Sequence, residues 1–146
     1  MKKYKLVNTF LKVGRIVAIV LIALFALLFV IFTIIGIVGL VNAIANGTDE
    51  DIAVAVGVLV SSIIEYSLLT VFTIIGLVFN GVASKGVKAA SSKAEIKKPA
   101  IFAIVSGALV TLFGIPAGII ALTMSDEDFA EANAEKPVDV KPAEDK

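Results

Sequence analysis

The sequence predicts an all-α integral membrane protein with three transmembrane helices. The first two form a long antiparallel hairpin, the third is kinked, and a disordered acidic tail follows. Three observations carry that reading. Ile16–Val41 is a run of 26 residues with no charge and one polar side chain, Thr33. About 20 apolar helical residues cross a hydrocarbon core roughly 30 Å thick, so this run is long enough. The composition is 58% hydrophobic and 18% charged over 146 residues. A soluble domain holds about 45–50% and about 25%, and here the excess is collected in three blocks. Finally, the zero net charge hides an asymmetry. Lys2, Lys3, Lys5, Lys12 and Arg15 precede the first block with no acid among them, whereas Asp49, Glu50 and Asp51 follow it.

Residues 1–15 interleave cations with Leu6, Phe10 and Val13 at helical spacing. That pattern predicts an interfacial helix, or simply a basic topology signal, leading into a first span at about 16–44. Its lysines meet anionic headgroups at about 1 kcal/mol each. Ala43-Ile44-Ala45 has the small-x-small form of a signal-peptidase site. The apolar run, however, is far longer than the roughly 7–15 residues of a cleaved signal. Asn46-Gly47 marks a tight turn. Asn46-Gly47-Thr48 is formally a glycosylation acceptor, set hard against the membrane.

The second block, Ile52–Ala83, contains Ser61, Ser62, Glu65, Tyr66 and Ser67. It reads either as one long helix paired with the first, or as an outer amphipathic segment leading into a shorter span; its length favours the paired hairpin. The loop after it carries Lys85, Lys88, Lys93, Lys97 and Lys98 against Glu95, and Pro99 opens a third span at about 100–124. Cations in short loops stay cytoplasmic. The expected location is the cell membrane, multi-pass, with the N-terminus and the basic loop cytoplasmic and the tail extracytoplasmic by span count. Residues 1–124 thus form the membrane domain. Residues 125–146, acidic with two prolines among charges, have the composition of a disordered tail.

Phe32-Thr33-Ile34-Ile35-Gly36 recurs at Phe72-Thr73-Ile74-Ile75-Gly76, with a looser copy at Thr111-Leu112-Phe113-Gly114. Each copy sets a Thr and a Gly on one helix face, where small residues allow close packing in lipid. Gly36, Gly76, Gly107, Gly114 and Gly118 are therefore expected at helix contacts. Ala53, Gly57, Ser61 and Glu65 recur every fourth residue and form another such stripe. Glu65 is the ionisable group inside a predicted span, apart from the Tyr66 phenol, and an intramembrane carboxylate is a functional-site candidate. Two readings stand. In one, Glu65 binds a proton or cation with Ser61, Ser62 and Thr73 as oxygen neighbours. In the other it lies near the outer interface, solvated or fixing helix register. Gly114-Ile115-Pro116-Ala117-Gly118 reads as close packing with a proline kink.

Enzyme chemistry finds little support. Without His or Cys there is no imidazole base and no thiol nucleophile, and a single carboxylate cannot form an acid–base pair. No cofactor or metal is expected. Lys97-Lys98-Pro99, Gly107-x-Leu109 and Gly114–Leu122 together resemble the C-terminal half of a group of small bacterial multi-span membrane proteins, classed as a domain of unknown function. The resemblance covers roughly Gly76–Met124. It implies a bacterial cell-membrane location and no activity, and this chain differs in its short outer loop and acidic tail. The leading expectation is a non-enzymatic accessory or structural subunit. Its partners are the lipid bilayer and either further copies or a larger membrane complex, with no nucleic acid. The alternatives are a small oligomeric channel or transporter using Glu65, and a surface adaptor acting through the basic loop.

Overall fold

Nothing between Lys3 and Asn46 stops a helix: the stretch has no proline, and its glycines are isolated in apolar sequence. The computed structural model, which describes residues 3–134, makes it one helix, α1, Lys3–Asn46. Its 44 residues extend about 66 Å at ~1.5 Å per residue. Gly47 and Thr48 turn the chain. Thr48 caps α2 (Asp49–Ala89): its hydroxyl accepts from the Asp51 N–H at 3.3 Å, and the Asp51 carboxylate accepts from the Thr48 N–H at 2.8 Å. Asp49, Glu50 and Asp51 all lie in the first turn, where the helix dipole favours negative charge.

α2 runs antiparallel to α1. Leu59 covers Gly36, the Phe32 and Tyr66 rings stack with centroids 5.2 Å apart, and Asn80 lies against Gly14. The second apolar block is thus one helix, the longer of its two sequence readings. α3 (Lys93–Ser106) then runs back along α2. Pro99 packs on Gly86, the Phe79 and Phe102 rings stack at 5.6 Å, and the Ser106 hydroxyl donates to the Gly76 carbonyl at 2.7 Å.

Beyond Ser106 the expected third span does not continue. A π-helical turn over Gly107–Thr111 closes with the Leu112 N–H donating to the Gly107 carbonyl at 3.0 Å. Leu112 adopts a left-handed conformation, φ 56°, and α4 (Gly114–Leu122) returns along α3. Two glycines make the return possible. A Cβ on Gly114 would strike the Ala103 carbonyl, and one on Gly107 would lie 2.9 Å from the Gly114 backbone. Pro116 does not kink a continuous helix; it lies in the first turn of α4, where a missing N–H costs nothing. Pro99 does not open a helix either. Ser92 caps α3 seven residues earlier, accepting from the Glu95 N–H at 3.4 Å, so Pro99 lies inside it.

Two further expectations change. The N-terminal segment is not a separate interfacial helix but the first turns of α1, and it buries Val7, Leu11 and Gly14 rather than the Leu6–Phe10–Val13 face. The acidic tail is ordered in part. Asp126–Ala134 forms α5, Phe129 is 2% exposed, and the expectation for 135–146 lies outside the described residues. Lys3 Nζ reaches Asp128 Oδ2 and the Thr123 carbonyl, each at 3.1 Å, and the Lys93 N–H donates to Asp126 at 2.9 Å. The described part of the tail therefore shares the end of the molecule that holds Lys3 and the cations of the expected basic loop, because α4 reverses the direction that a third span would have kept. Those cations lie in helices instead, Lys85 and Lys88 in α2 and Lys93, Lys97 and Lys98 in α3.

The molecule thus has two parts. At the base, the first turns of α1 and the last of α2 join α3, α4 and α5 around a core that includes Val7, Leu11, Val87, Ile96, Met124 and Phe129. The rest of α1 and α2 projects as a two-helix shaft. Both long helices have the length and composition to cross a membrane, and only 6% and 0% of their most apolar stretches is buried within the chain.

Candidate functional site

Glu65 lies on the shaft with its side chain exposed, and Ala53, Gly57 and Ser61 share its open face. Nothing lies within 4 Å of where a Cβ on Gly57 would point. Ser62 is half-buried. Thr73, more than two turns farther along α2, is buried, and its hydroxyl donates to the Leu69 carbonyl at 2.7 Å. The structure thus keeps Ser61 and Glu65 on one face and does not bring Thr73 to them. Gly36, Gly76, Gly107, Gly114 and Gly118 each meet a neighbouring segment closely. Lys85, Lys88, Lys93, Lys97 and Lys98 are exposed at the base.

The concentration of buried polar groups is elsewhere, where the α3–α4 hairpin turns against the long helices. Asn80 of α2 is 1% exposed, and neither its Nδ2 nor its Oδ1 has a hydrogen-bond partner. The Thr111 hydroxyl, from the π-helical turn, is also buried without a partner. Gly14 of α1 brings them together: Asn80 Nδ2 and Thr111 Oγ1 lie 3.1 and 3.2 Å from where its Cβ would be. Ser106, satisfied by the Gly76 carbonyl, lies one turn before the break. The centre is neutral. An amide and a hydroxyl can bind a small polar group but supply neither a strong base nor a nucleophile without one.

The polar centre was hidden in the sequence by its neighbours. Asn80 sits between Phe79 and Gly81 near the end of a long apolar run, and Thr111 reads as part of a continuous span. A lone amide in a segment that buries few polar groups is the signal that points to it. Among the described residues no group of three acidic, His or Cys side chains is placed to hold a metal ion.

Among the described residues, three acids at helix starts are held below their ordinary values: Asp51 at the tip of the shaft, by the Thr48 N–H and hydroxyl, and Glu95 and Asp128 at the base. The Ser91 N–H and hydroxyl hold the Glu95 carboxyl below its ordinary value. The Ser125 N–H, followed by Lys3, does the same for Asp128. No family model matches the chain, and neither a curated protein nor a solved structure matches it.

Proposed function

We propose that the chain is a non-enzymatic membrane protein, an accessory or structural subunit whose shaft crosses the bilayer twice. The observation that carries this reading is the bareness of the shaft. An apolar helix in a soluble core is covered by its own chain, whereas these two cover each other on one side only. The α3–α4 hairpin is too short to cross: 14 and 9 residues make helices of about 21 and 14 Å. It enters from the base and turns back, with Leu112 at its tip 70% exposed and Phe113 beside it. Non-helical backbone at membrane depth is tolerated where its polar groups find partners within the protein, and here the Leu112 and Phe113 N–H groups donate to the Gly107 and Thr111 carbonyls.

The cations gather at the base, and the tendency of cations in short loops to stay inside supports a cytoplasmic base. In this reading both ends of the described chain are cytoplasmic, and the Gly47 turn is outside. The open face bearing Ala53, Gly57, Ser61 and Glu65 receives a second copy or a larger partner. No hydrogen bond or ion pair engages Glu65 among the described residues, so its partner comes from that contact or from water.

The chain lacks cysteine, so single cysteines test the topology directly in intact cells with an impermeant thiol reagent. Glu50→Cys is expected to label, while Ser92→Cys and Ala130→Cys stay protected until the membrane is opened. Labelling at position 130 with protection at 92 would restore three spans and remove the hairpin. On oxidation Ser61→Cys is expected to cross-link between copies. Aqueous labelling continuing through Ser61→Cys to Glu65→Cys would instead favour a water-filled path and a transport role.

A further inference from the structure

Two adjoining hollows lie on the side of the base, between α1 and α2, with volumes of about 530 and 360 Å³. They share Arg15, Ser84 and Lys88; Lys12 and Asn8 complete the smaller and Lys85 the larger. Arg15 is the last cation before the apolar run of α1, and Lys85 is the first after that of α2. The antiparallel pairing brings these two polar boundaries to the same level. Among the described residues none of Lys12, Arg15, Lys85 and Lys88 pairs with a carboxylate. Four uncompensated cations thus flank one trough at the edge of an apolar surface.

The trough has a second kind of wall. Leu77, Val78, Gly81 and Val82 line the larger hollow on its shaft side. Val78 and Val82 are 58% and 45% exposed, and Gly81 leaves the floor between them flat, with nothing within 4 Å of its Cβ position. A free phosphate has no use for such a wall; an acyl chain does. We propose that this groove binds an anionic phospholipid, its phosphate held by Arg15, Lys12, Lys85, Lys88 and the Ser84 hydroxyl, and its acyl chain lying along Leu77, Val78 and Val82. Arginine engages a phosphate through two parallel N–H donors, and the lysines add point charge. Basic pockets between membrane helices on the cytoplasmic side take such headgroups. The site rests on the membrane reading given above.

The test uses the full chain, purified in a neutral detergent and offered phosphatidylglycerol or phosphatidylcholine, with retained lipid counted by native mass spectrometry. Phosphatidylglycerol is expected to be retained selectively. Arg15→Gln with Lys88→Gln should weaken its retention about tenfold or more. Lys97→Gln with Lys98→Gln removes the same charge from the exposed side of α3 and should leave retention unchanged. Ser84→Leu fills the shared floor without altering charge and should repeat the loss. Inorganic phosphate should compete poorly. Equal retention of both lipids, equal loss in the two charge variants, or full displacement by phosphate would each overturn the proposal. Membrane fractions washed in alkaline carbonate separate the two readings. Release of the protein sinks the membrane assignment, whereas retention with no lipid preference sinks the groove alone.

Discussion

A buried polar group without a hydrogen bond costs about 1–3 kcal/mol, and Asn80 presents two such atoms with Thr111 adding a third. Leucine is close to asparagine in size and carries no polar atoms. Asn80→Leu is therefore expected to raise the thermal midpoint in mild detergent, by a stability gain of about 1 kcal/mol or more. A fall in the midpoint would mean that the amide is engaged in the folded protein and that the centre holds a polar ligand. Glu65 shows the opposite side of residue-scale reading. Its unusual charge was plain in the sequence, but the face it occupies depends on how α2 rotates against α1, and the four-residue stripe fits an inward or an outward orientation equally. Pairing through Gly36–Leu59 and Phe32–Tyr66 leaves that stripe on the open side.

Among the elements, the first long helix and the turn after it were legible, because an uninterrupted apolar run and an Asn-Gly step leave little choice, whereas the second block, with Ser61, Ser62, Glu65, Tyr66 and Ser67 inside it, also fitted a shorter span. The Thr-Gly echo was informative in the same way. Thr73, Gly76, Thr111, Gly114 and Gly36 are all buried, with Thr33 half-buried. What the sequence concealed was the break in 100–124. Hydropathy records that the segment is apolar but not whether it continues forward or folds back. The decisive features are local: Gly107 and Gly114 let two backbones touch, and Leu112 accepts a left-handed conformation that a bulky residue seldom adopts. Ser92-x-x-Glu95 was a readable cap signal for α3, and it moves the helix start well upstream of Pro99. Gly114→Ala tests the hairpin. Its methyl would meet the Ala103 carbonyl and the Gly107 nitrogen, both backbone, so the neighbours cannot yield as a side chain would. A loss of roughly 1–3 kcal/mol or more is expected, with faster proteolysis at residues 107–114. Unchanged stability would argue that α3 and α4 are one straight span after all.

At the scale of the whole molecule, the base is closed by contacts between distant parts of the chain, while the shaft depends on one helix pair and on whatever surrounds it. Lys3 and Asp128 join the start of α1 to α5 at 3.1 Å, and Phe129 enters the core beside them. The Asp128 carboxyl is held below its ordinary value of 3.8, first by the Ser125 N–H and then by Lys3. A carboxyl lowered on folding stabilises the folded state fully above its unfolded value, and that contribution is lost as pH falls through the lowered one. From neutrality down to pH 3.8 α5 should therefore stay docked, and below that value it should detach while the apolar shaft keeps its helicity. The chain has no tryptophan, so Phe129→Trp supplies a single reporter at the joint. Its emission is expected to shift to the red only in that acid range. Adding Asp128→Asn should weaken docking at neutral pH and flatten the acid response. A transition centred well above 3.8, or one that survives Asp128→Asn, would assign the closure of the base to a group other than Asp128.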